Sequence, residues 1–214
     1  MVSLVFVAGV VRGQLQLDLG VKGGMNLSNI NALSSVVSSY GPQTGYHGGL
    51  YGQLKIDFFA FQTEVIYSTE GQQYKFFYPG YPSFTTNTSY INIPLMLKFY
   101  VAGGLNLQIG PQIGILNSAK GYTYLTSNYS GLPTVTEQSM GHYFKGTNMS
   151  LCIGAGLDLP AGFNLTFRYN GGLSNINNIS SAGTQLPASP FGTSAAKTEV
   201  LQFSIGYRLL KIKG

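Results

Sequence analysis

Leu15-Gln-Leu-Asp-Leu-Gly-Val-Lys-Gly-Gly-Met-Asn-Leu27 is the stretch on which the fold turns. Its odd positions are Leu15, Leu17, Leu19, Val21, Gly23, Met25 and Leu27; its even positions are Gln16, Asp18, Gly20, Lys22, Gly24 and Asn26. Alternation at period two puts successive side chains on opposite faces of an extended strand. Both charges, Asp18 and Lys22, fall on the same face.

Seven further segments repeat the pattern. From Gly45 to Asp57, Tyr46, Leu50, Leu54 and Ile56 oppose His47, Tyr51, Gln53, Lys55 and Asp57. From Phe59 to Thr69, Phe59, Phe61, Val65 and Tyr67 oppose Gln62, Glu64 and Ser68. From Ser89 to Tyr100, Ile91, Ile93, Leu95, Leu97 and Phe99 oppose Tyr90, Asn92, Met96 and Lys98. Leu105, Leu107, Ile109, Ile113 and Ile115 oppose Asn106, Gln108 and Gln112. Met149, Leu151, Ile153, Leu157 and Leu159 oppose Asn148, Ser150, Cys152 and Asp158. Phe163, Leu165, Phe167, Tyr169 and Leu173 oppose Asn164, Thr166, Arg168 and Asn170. Leu201, Phe203, Ile205, Tyr207 and Leu209 oppose Gln202, Ser204 and Arg208.

The placement of charge decides what the two faces meet. Asp18, Lys22, Lys55, Asp57, Glu64, Lys98, Asp158, Arg168 and Arg208 all sit on polar faces, and the apolar faces carry no charge within the strand cores. A soluble barrel or sandwich is arranged the other way, apolar inside and charged outside. Apolar faces this extensive belong in lipid, where an outward Arg or Lys costs about 2–4 kcal/mol at the midplane. Only 9% of the 214 residues are charged, against about 25% in a soluble domain. No apolar run reaches the ~18 residues of a membrane-spanning helix. The reading is all-β: an eight-stranded antiparallel up-and-down transmembrane β-barrel, each strand at or above the ~9–11 residues that a tilted span needs.

The links fix its orientation. Asp57–Ala60, Val101–Gly104 and Leu159–Gly162 are short; Ser28–Thr44, Glu70–Thr88, Asn117–Thr147 and Asn175–Thr198 are long. Short periplasmic turns and long extracellular loops are the rule for such barrels, which places both termini in the periplasm. Phe59, Phe61, Phe99, Phe163 and Tyr207 then lie near the periplasmic interface, and Tyr46 and Tyr67 near the outer one. Pro94 and Pro111 fall inside strands. Each removes a ladder hydrogen bond, so a bulge or bend is expected at both. Leu4–Val11 is too short to span a bilayer and reads as the core of an export signal. Residues 1–13 are therefore assigned to a signal-peptide remnant and 14–214 to the barrel domain.

Four motifs resemble the small PorT-like outer-membrane β-barrels of the Bacteroidota. They are Gly20-Val-Lys-Gly-Gly-Met-Asn-Leu-Ser28, Tyr90-Ile-Asn-Ile-Pro-Leu-Met-Leu-Lys98, Gly110-Pro-Gln-Ile-Gly-Ile-Leu116 and Arg168-Tyr-Asn-Gly-Gly-Leu-Ser-Asn-Ile176. The resemblance spans nearly everything after the export segment. It implies an eight-stranded barrel in the outer membrane and would make the prolines family features. It implies no activity. The tail Lys211-Ile-Lys-Gly214 departs from the usual aromatic last residue of such barrels.

An eight-stranded barrel is just wide enough for side chains to fill it. The inward charges are expected to form a polar plug, with Lys22, Glu64, Lys98 and Arg168 at the centre and Asp18, Lys55, Asp57, Asp158 and Arg208 toward the periplasm. A narrow porin-like channel for small solutes is the alternative. No enzyme is expected. The histidines are His47 and His142; Ser68, Ser89 or Glu70 near His47 would not by proximity make a nucleophile and base. No metal or cofactor is expected either: ligand spacing is lacking, Gly154-Ala-Gly156 lacks the third glycine of a nucleotide loop, and Cys152 reads as inward packing. The formal charge is +5, but the basic residues do not cluster, which argues against nucleic acid. The long links hold the candidate binding surface, Tyr74, Phe76, Phe77, Tyr78, Tyr81, Tyr122, Tyr124 and Tyr129, with Phe84, Tyr143 and Phe144 beside them. Aromatic side chains on a rigid scaffold anchor partners at low entropy cost; self-packing that caps the barrel is the competing reading. The expected function is that of an envelope structural or partner-binding barrel. Its expected partners are outer-membrane lipid and a protein or glycan at the extracellular loops, and it is expected to be a monomer.

Overall fold

The structure, a computed structural model, describes residues 15–32, 37–76, 84–126, 133–178 and 195–213. The 1–13 assignment lies outside them. Nine strands run in chain order: β1 Leu15–Ala32, β2 Val37–Ile56, β3 Phe59–Phe76, β4 Phe84–Ala102, β5 Leu105–Thr126, β6 Pro133–Ser139, β7 Thr147–Asp158, β8 Phe163–Gly172 and β9 Ala196–Lys213. All pairings are antiparallel. Eight strands close a ring, with β4 on β5, β5 on β7 and β1 on β9. β6 is a ninth strand that the sequence reading did not anticipate; it pairs with the upper part of β5, from Lys120 to Thr126.

Alternation in the sequence becomes inside and outside. Leu50, Phe61, Val65, Leu97, Ile109, Ile153, Phe167 and Phe203 face outward and are exposed, whereas Lys22, Glu64, Lys98 and Arg168 are buried within. The outer apolar stripe ends at one level around the ring. Above Tyr46, Tyr67, Ile115, Met149 and Leu201 the next outward residues are Thr44, Thr69, Asn117, Thr147 and Glu199. At the other end Phe58, Phe59 and Phe99 cluster, with ring centroids 4.6–5.8 Å apart, and Phe163 packs on Tyr207 at 5.0 Å. Three tight turns join strands at this lower end. They are built on positive-φ residues: Asp57 (φ 53°), Gly103 (φ 56°), Gly104 (φ 88°) and Gly162 (φ 91°).

Three expectations need correction. In three of the long links many of the described residues are strand: β2, β3, β4 and β5 extend beyond the apolar stripe, as does β9, so Tyr74 and Phe76 belong to β3, and Tyr122 and Tyr124 to β5. Neither inner proline makes a bulge. The register of β4 on β5 shifts at Ser89/Tyr90 and at Tyr100/Ala102, but runs in step from Pro94↔Gln112 to Leu97↔Ile109; Pro111 pairs with Leu151. β4 and β5 approach closely beside both prolines, since a Cβ on Gly110 would stand 1.9 Å from the Leu95 carbonyl oxygen. Finally, β9 does not stop near Leu209. A register shift opposite Leu19/Gly20 carries it on, pairing Leu210 with Leu19, Lys211 with Asp18 and Lys213 with Gln16.

Ile109→Arg places a charge on the outer stripe of β5 and is expected to destabilise the barrel by about 2–4 kcal/mol, read by urea unfolding in lipid vesicles; Asn117→Arg, above the stripe, should cost a small fraction of that.

Candidate functional site

The interior has three levels, each built by strands that bring polar side chains to a common axis. At the middle level Glu64 of β3 holds two cations. Lys22 Nζ of β1 donates to its Oε1 at 2.9 Å; Arg168 of β8 donates from Nη2 to Oε1 at 2.9 Å and from Nη1 to Oε2 at 3.2 Å. Gln62 also donates to Glu64, and Gln108 accepts from Arg168 at 3.3 Å. A forked guanidinium–carboxylate pair is the strongest of the charge-assisted arrangements. Glycines make room for it: Lys22 is flanked in register by Gly49 and Gly206, and Arg168 by Gly154. Lys98 stands apart from this cluster, donating to Gln53 Oε1 at 2.9 Å.

Toward the short turns, Asp18 lies 3.6 Å from Arg208 and accepts from Gln16 at 2.6 Å; Tyr100 donates to Asp158, and Lys55 Nζ sits 3.4 Å from the centre of the Tyr100 ring. Asp57 is exposed in its turn rather than inside the barrel. Asp18, Tyr51, Gln53, Lys98, Asp158 and Arg208 surround a cavity of about 10 Å³, about enough for one water molecule.

Above the middle level is a connection the sequence did not show. His47 Nδ1 lies 2.7 Å from Asn26 Oδ1, and His47 Nε2 lies 2.8 Å from Ser204 Oγ. Because the Asn26 oxygen can only accept, Nδ1 carries the proton and Nε2 accepts from the serine hydroxyl. His47 and Ser204 are both register partners of Gly24, whose missing side chain lets β9 approach: a Cβ there would stand 1.9 Å from the Phe203 carbonyl oxygen. Asn26 donates on to Ser68 at 2.9 Å, and Ser68 to Glu70 at 3.2 Å. Ser204, His47 and Asn26 have the connectivity of a hydrolase relay with an amide in place of the acid. They are 3%, 4% and 1% exposed, so a substrate could reach Ser204 only by displacing the packed interior. Inward alternation marked His47 and Ser204 separately; their meeting depends on closure of β9 onto β1. Cys152 is buried, its thiol 3.6 Å from Gln112 Oε1. Among the described residues no group of His, Cys, Asp and Glu is arranged to hold a metal.

The third level is apolar. Ile30, Ala119, Met140, Tyr143, Phe144, Ile176 and Ala196 form one buried cluster, with Leu116 against it. Ile30 belongs to β1 and Ala119 to β5, strands four places apart in either direction around the ring, so the cluster spans the lumen. The segment after β6 folds in to complete it, held by Met140 N to Ala119 O (2.9 Å), Lys145 N to Ile176 O (2.8 Å) and Ile176 N to Ala196 O (2.9 Å). Tyr143 and Phe144 are thus part of a lid. Phe77, Tyr78, Tyr81 and Tyr129 lie outside the described residues, as do the side chains of Tyr74, Phe76, Phe84 and Tyr124.

A closed ring, apolar toward lipid and polar within, defines an outer-membrane β-barrel. The family model described as outer membrane protein beta-barrel domain matches residues 12–178, and the chain belongs to that family. Solved structures with a similar fold include Neisserial surface protein A (10% identity, TM-score 0.48, covering 89% of this chain and 97% of that one). Ail, the attachment invasion locus protein of Yersinia pestis, solved with the heparin analogue sucrose octasulfate, is 12% identical (TM-score 0.47, 92% and 99%). OprG of Pseudomonas aeruginosa is 12% identical (TM-score 0.40, 92% and 96%). Likeness at this level says nothing of what this chain binds. No curated protein matches the sequence.

Glu64→Gln strands Lys22 and Arg168 without an anion and is expected to cost about 3–5 kcal/mol, measured by urea unfolding in lipid vesicles. His47→Ala leaves Ser204 and Asn26 short of a partner and should cost about 1–3 kcal/mol in the same assay.

Proposed function

We propose that this protein is a non-enzymatic, non-conducting barrel that serves the outer membrane as a structural element and presents a binding surface to a protein or glycan from its extracellular end. The observation that carries this reading is the double closure of the lumen: the Lys22–Glu64–Arg168 cluster at mid-height and the apolar cluster of Ile30, Ala119, Met140, Tyr143, Phe144, Ile176 and Ala196 above it. Neither level offers a solute a continuous polar path, and no single sign of charge lines one, as selective pores require. The buried relay at His47 holds β1, β2 and β9 together rather than meeting a substrate.

β1 begins and β9 ends on the side of the short turns, which supports periplasmic termini; the Leu4–Val11 segment supports delivery by a signal peptide. The four motifs noted above support placing the chain among the PorT-like members of its family, acting as a monomer.

Purified protein that shows a heat-dependent gel shift should give no stepwise current in a planar lipid bilayer. Discrete conductance steps from the heat-modifiable species would replace this reading with that of a narrow channel.

A further inference from the structure

The outer wall carries a hollow immediately above the apolar stripe. β2 and β3 pair regularly up to His47↔Ser68 and again at Pro42↔Gln72, but four residues of β2 stand between these points against three of β3. The extra residue on β2 interrupts the ladder. Beneath it Gly71 is covered: a Cβ there would stand 2.5 Å from the Thr86 carbonyl oxygen, 2.8 Å from Gln43 Oε1 and 3.1 Å from Asn87 Oδ1, so the two amides lie close over the backbone. Beside them runs a groove of about 440 Å³ across the outer faces of β2, β3, β4 and β5, within the ~300–1,000 Å³ range of small-ligand clefts.

Its lining is specific in kind. Tyr46, Tyr67 and Tyr122 supply aromatic surface; Gln43, Asn87 and Asn117 supply planar amides; Thr44 and Thr69 supply hydroxyls. Gln43 donates to Asn87 at 2.7 Å, while its own Oε1 lies buried beneath the surface with no hydrogen-bond partner. The cation in the lining, Lys120, is engaged with Glu137 at 2.7 Å. That hydrogen bond from Lys120 holds the Glu137 carboxyl below the usual carboxylate range, so the two charges cancel at the rim. The carboxyl in the lining, Glu70, is buried, accepts from Ser68 at 3.2 Å and Asn92 at 3.4 Å, and has its pKa pushed up to about 7 by that burial; the groove carries little net charge and is rich in aromatic faces and in paired donors and acceptors. This chemistry suits the apolar face and hydroxyl fringe of sugar rings and does not suit a phosphate.

Height on the barrel selects the source of the sugar. Tyr46 and Tyr67 are the last members of the lipid-facing stripe on β2 and β3, and the groove opens directly over them. Below lie Leu50, Val65, Ile91 and Ile113, exposed on the same strands. A molecule with acyl chains along that stripe carries its head group at the level of the groove. We propose that the groove is a binding site for the saccharide head of an outer-leaflet glycolipid, with the acyl chains lying on the wall formed by β2–β5. This deepens the ligand-binding half of the function proposed above and does not depend on the lumen being closed, so conductance and glycolipid retention fail independently.

The test uses the full chain in an uncharged, sugar-free detergent, with three probes: rough-type lipopolysaccharide bearing core sugars, its lipid A without them, and the core oligosaccharide without acyl chains. Retention is read by native mass spectrometry. Two variants accompany the wild type, Asn87→Ala, which removes an amide, and Thr44→Trp, which fills the groove from an exposed position; a retained heat-dependent gel shift certifies their fold. The expected result is retention of the lipopolysaccharide, with lipid A held on the order of tenfold more weakly and both variants losing that difference. Equal retention of lipid A and lipopolysaccharide, or folded variants indistinguishable from wild type, would overturn the proposal. So would a free oligosaccharide bound as tightly as the intact glycolipid, since the site would then serve a soluble glycan.

Discussion

In a bilayer core there is no water to satisfy backbone N–H and C=O groups, so every strand must have two neighbours. The antiparallel pairing of β1 with β9, from Gln16↔Lys213 to Ala32↔Ala196, meets that demand, and the rest of the structure follows from it. Closure at eight strands fixes a lumen that side chains can fill. It also turns the polar face of every strand inward, including its charges. Those charges must then be paired with one another or hydrogen-bonded to polar side chains, because burial takes them out of bulk water.

Glu64 is the centre of that neutralisation. Its two oxygens receive Lys22 from β1 and Arg168 from β8, linking three strands that are not sequence neighbours. Long side chains fit because short ones stand beside them: Gly49 and Gly206 beside Lys22, Gly154 beside Arg168, Gly24 beneath the His47–Ser204 contact. Glycine thus has a packing role inside the barrel. On the outer wall Gly71 lets the Gln43 and Asn87 amides lie close over the backbone beside the groove.

Much of this was legible in the sequence, for a physical reason. Inside the bilayer the two faces of a strand meet opposite solvents, so Leu105 to Ile115 or Phe163 to Tyr169 alternate cleanly and can be read directly. Above the stripe the outer face no longer meets lipid, and Thr85-Thr-Asn-Thr-Ser89 or Thr134-Val-Thr-Glu-Gln-Ser139 show no apolar–polar alternation, so the extensions of β4 and β5 and the whole of β6 have no strand signature in the sequence. Phase changes were equally silent: the extra residue of β2 near Gln43 and the shift opposite Leu19/Gly20 reset which face a side chain occupies. The His47–Ser204 contact needs the closing register, which no local pattern encodes. The lid formed by Tyr143 and Phe144 needs the fold of a segment whose aromatic content suited either binding or self-packing.

The barrel wall meets lipid outside and packed polar side chains inside. Nuclear Overhauser spectroscopy of the protein in lipid nanodiscs tests both halves at once along β5. The account predicts cross-peaks from acyl-chain methylenes to the methyl groups of Ile109 and Ile113, and none from water to the side-chain amides of Gln108 and Gln112. Water cross-peaks at Gln108 and Gln112 would mean an open, hydrated lumen, and acyl-chain contacts at those glutamines would mean that the wall had been assigned the wrong way round.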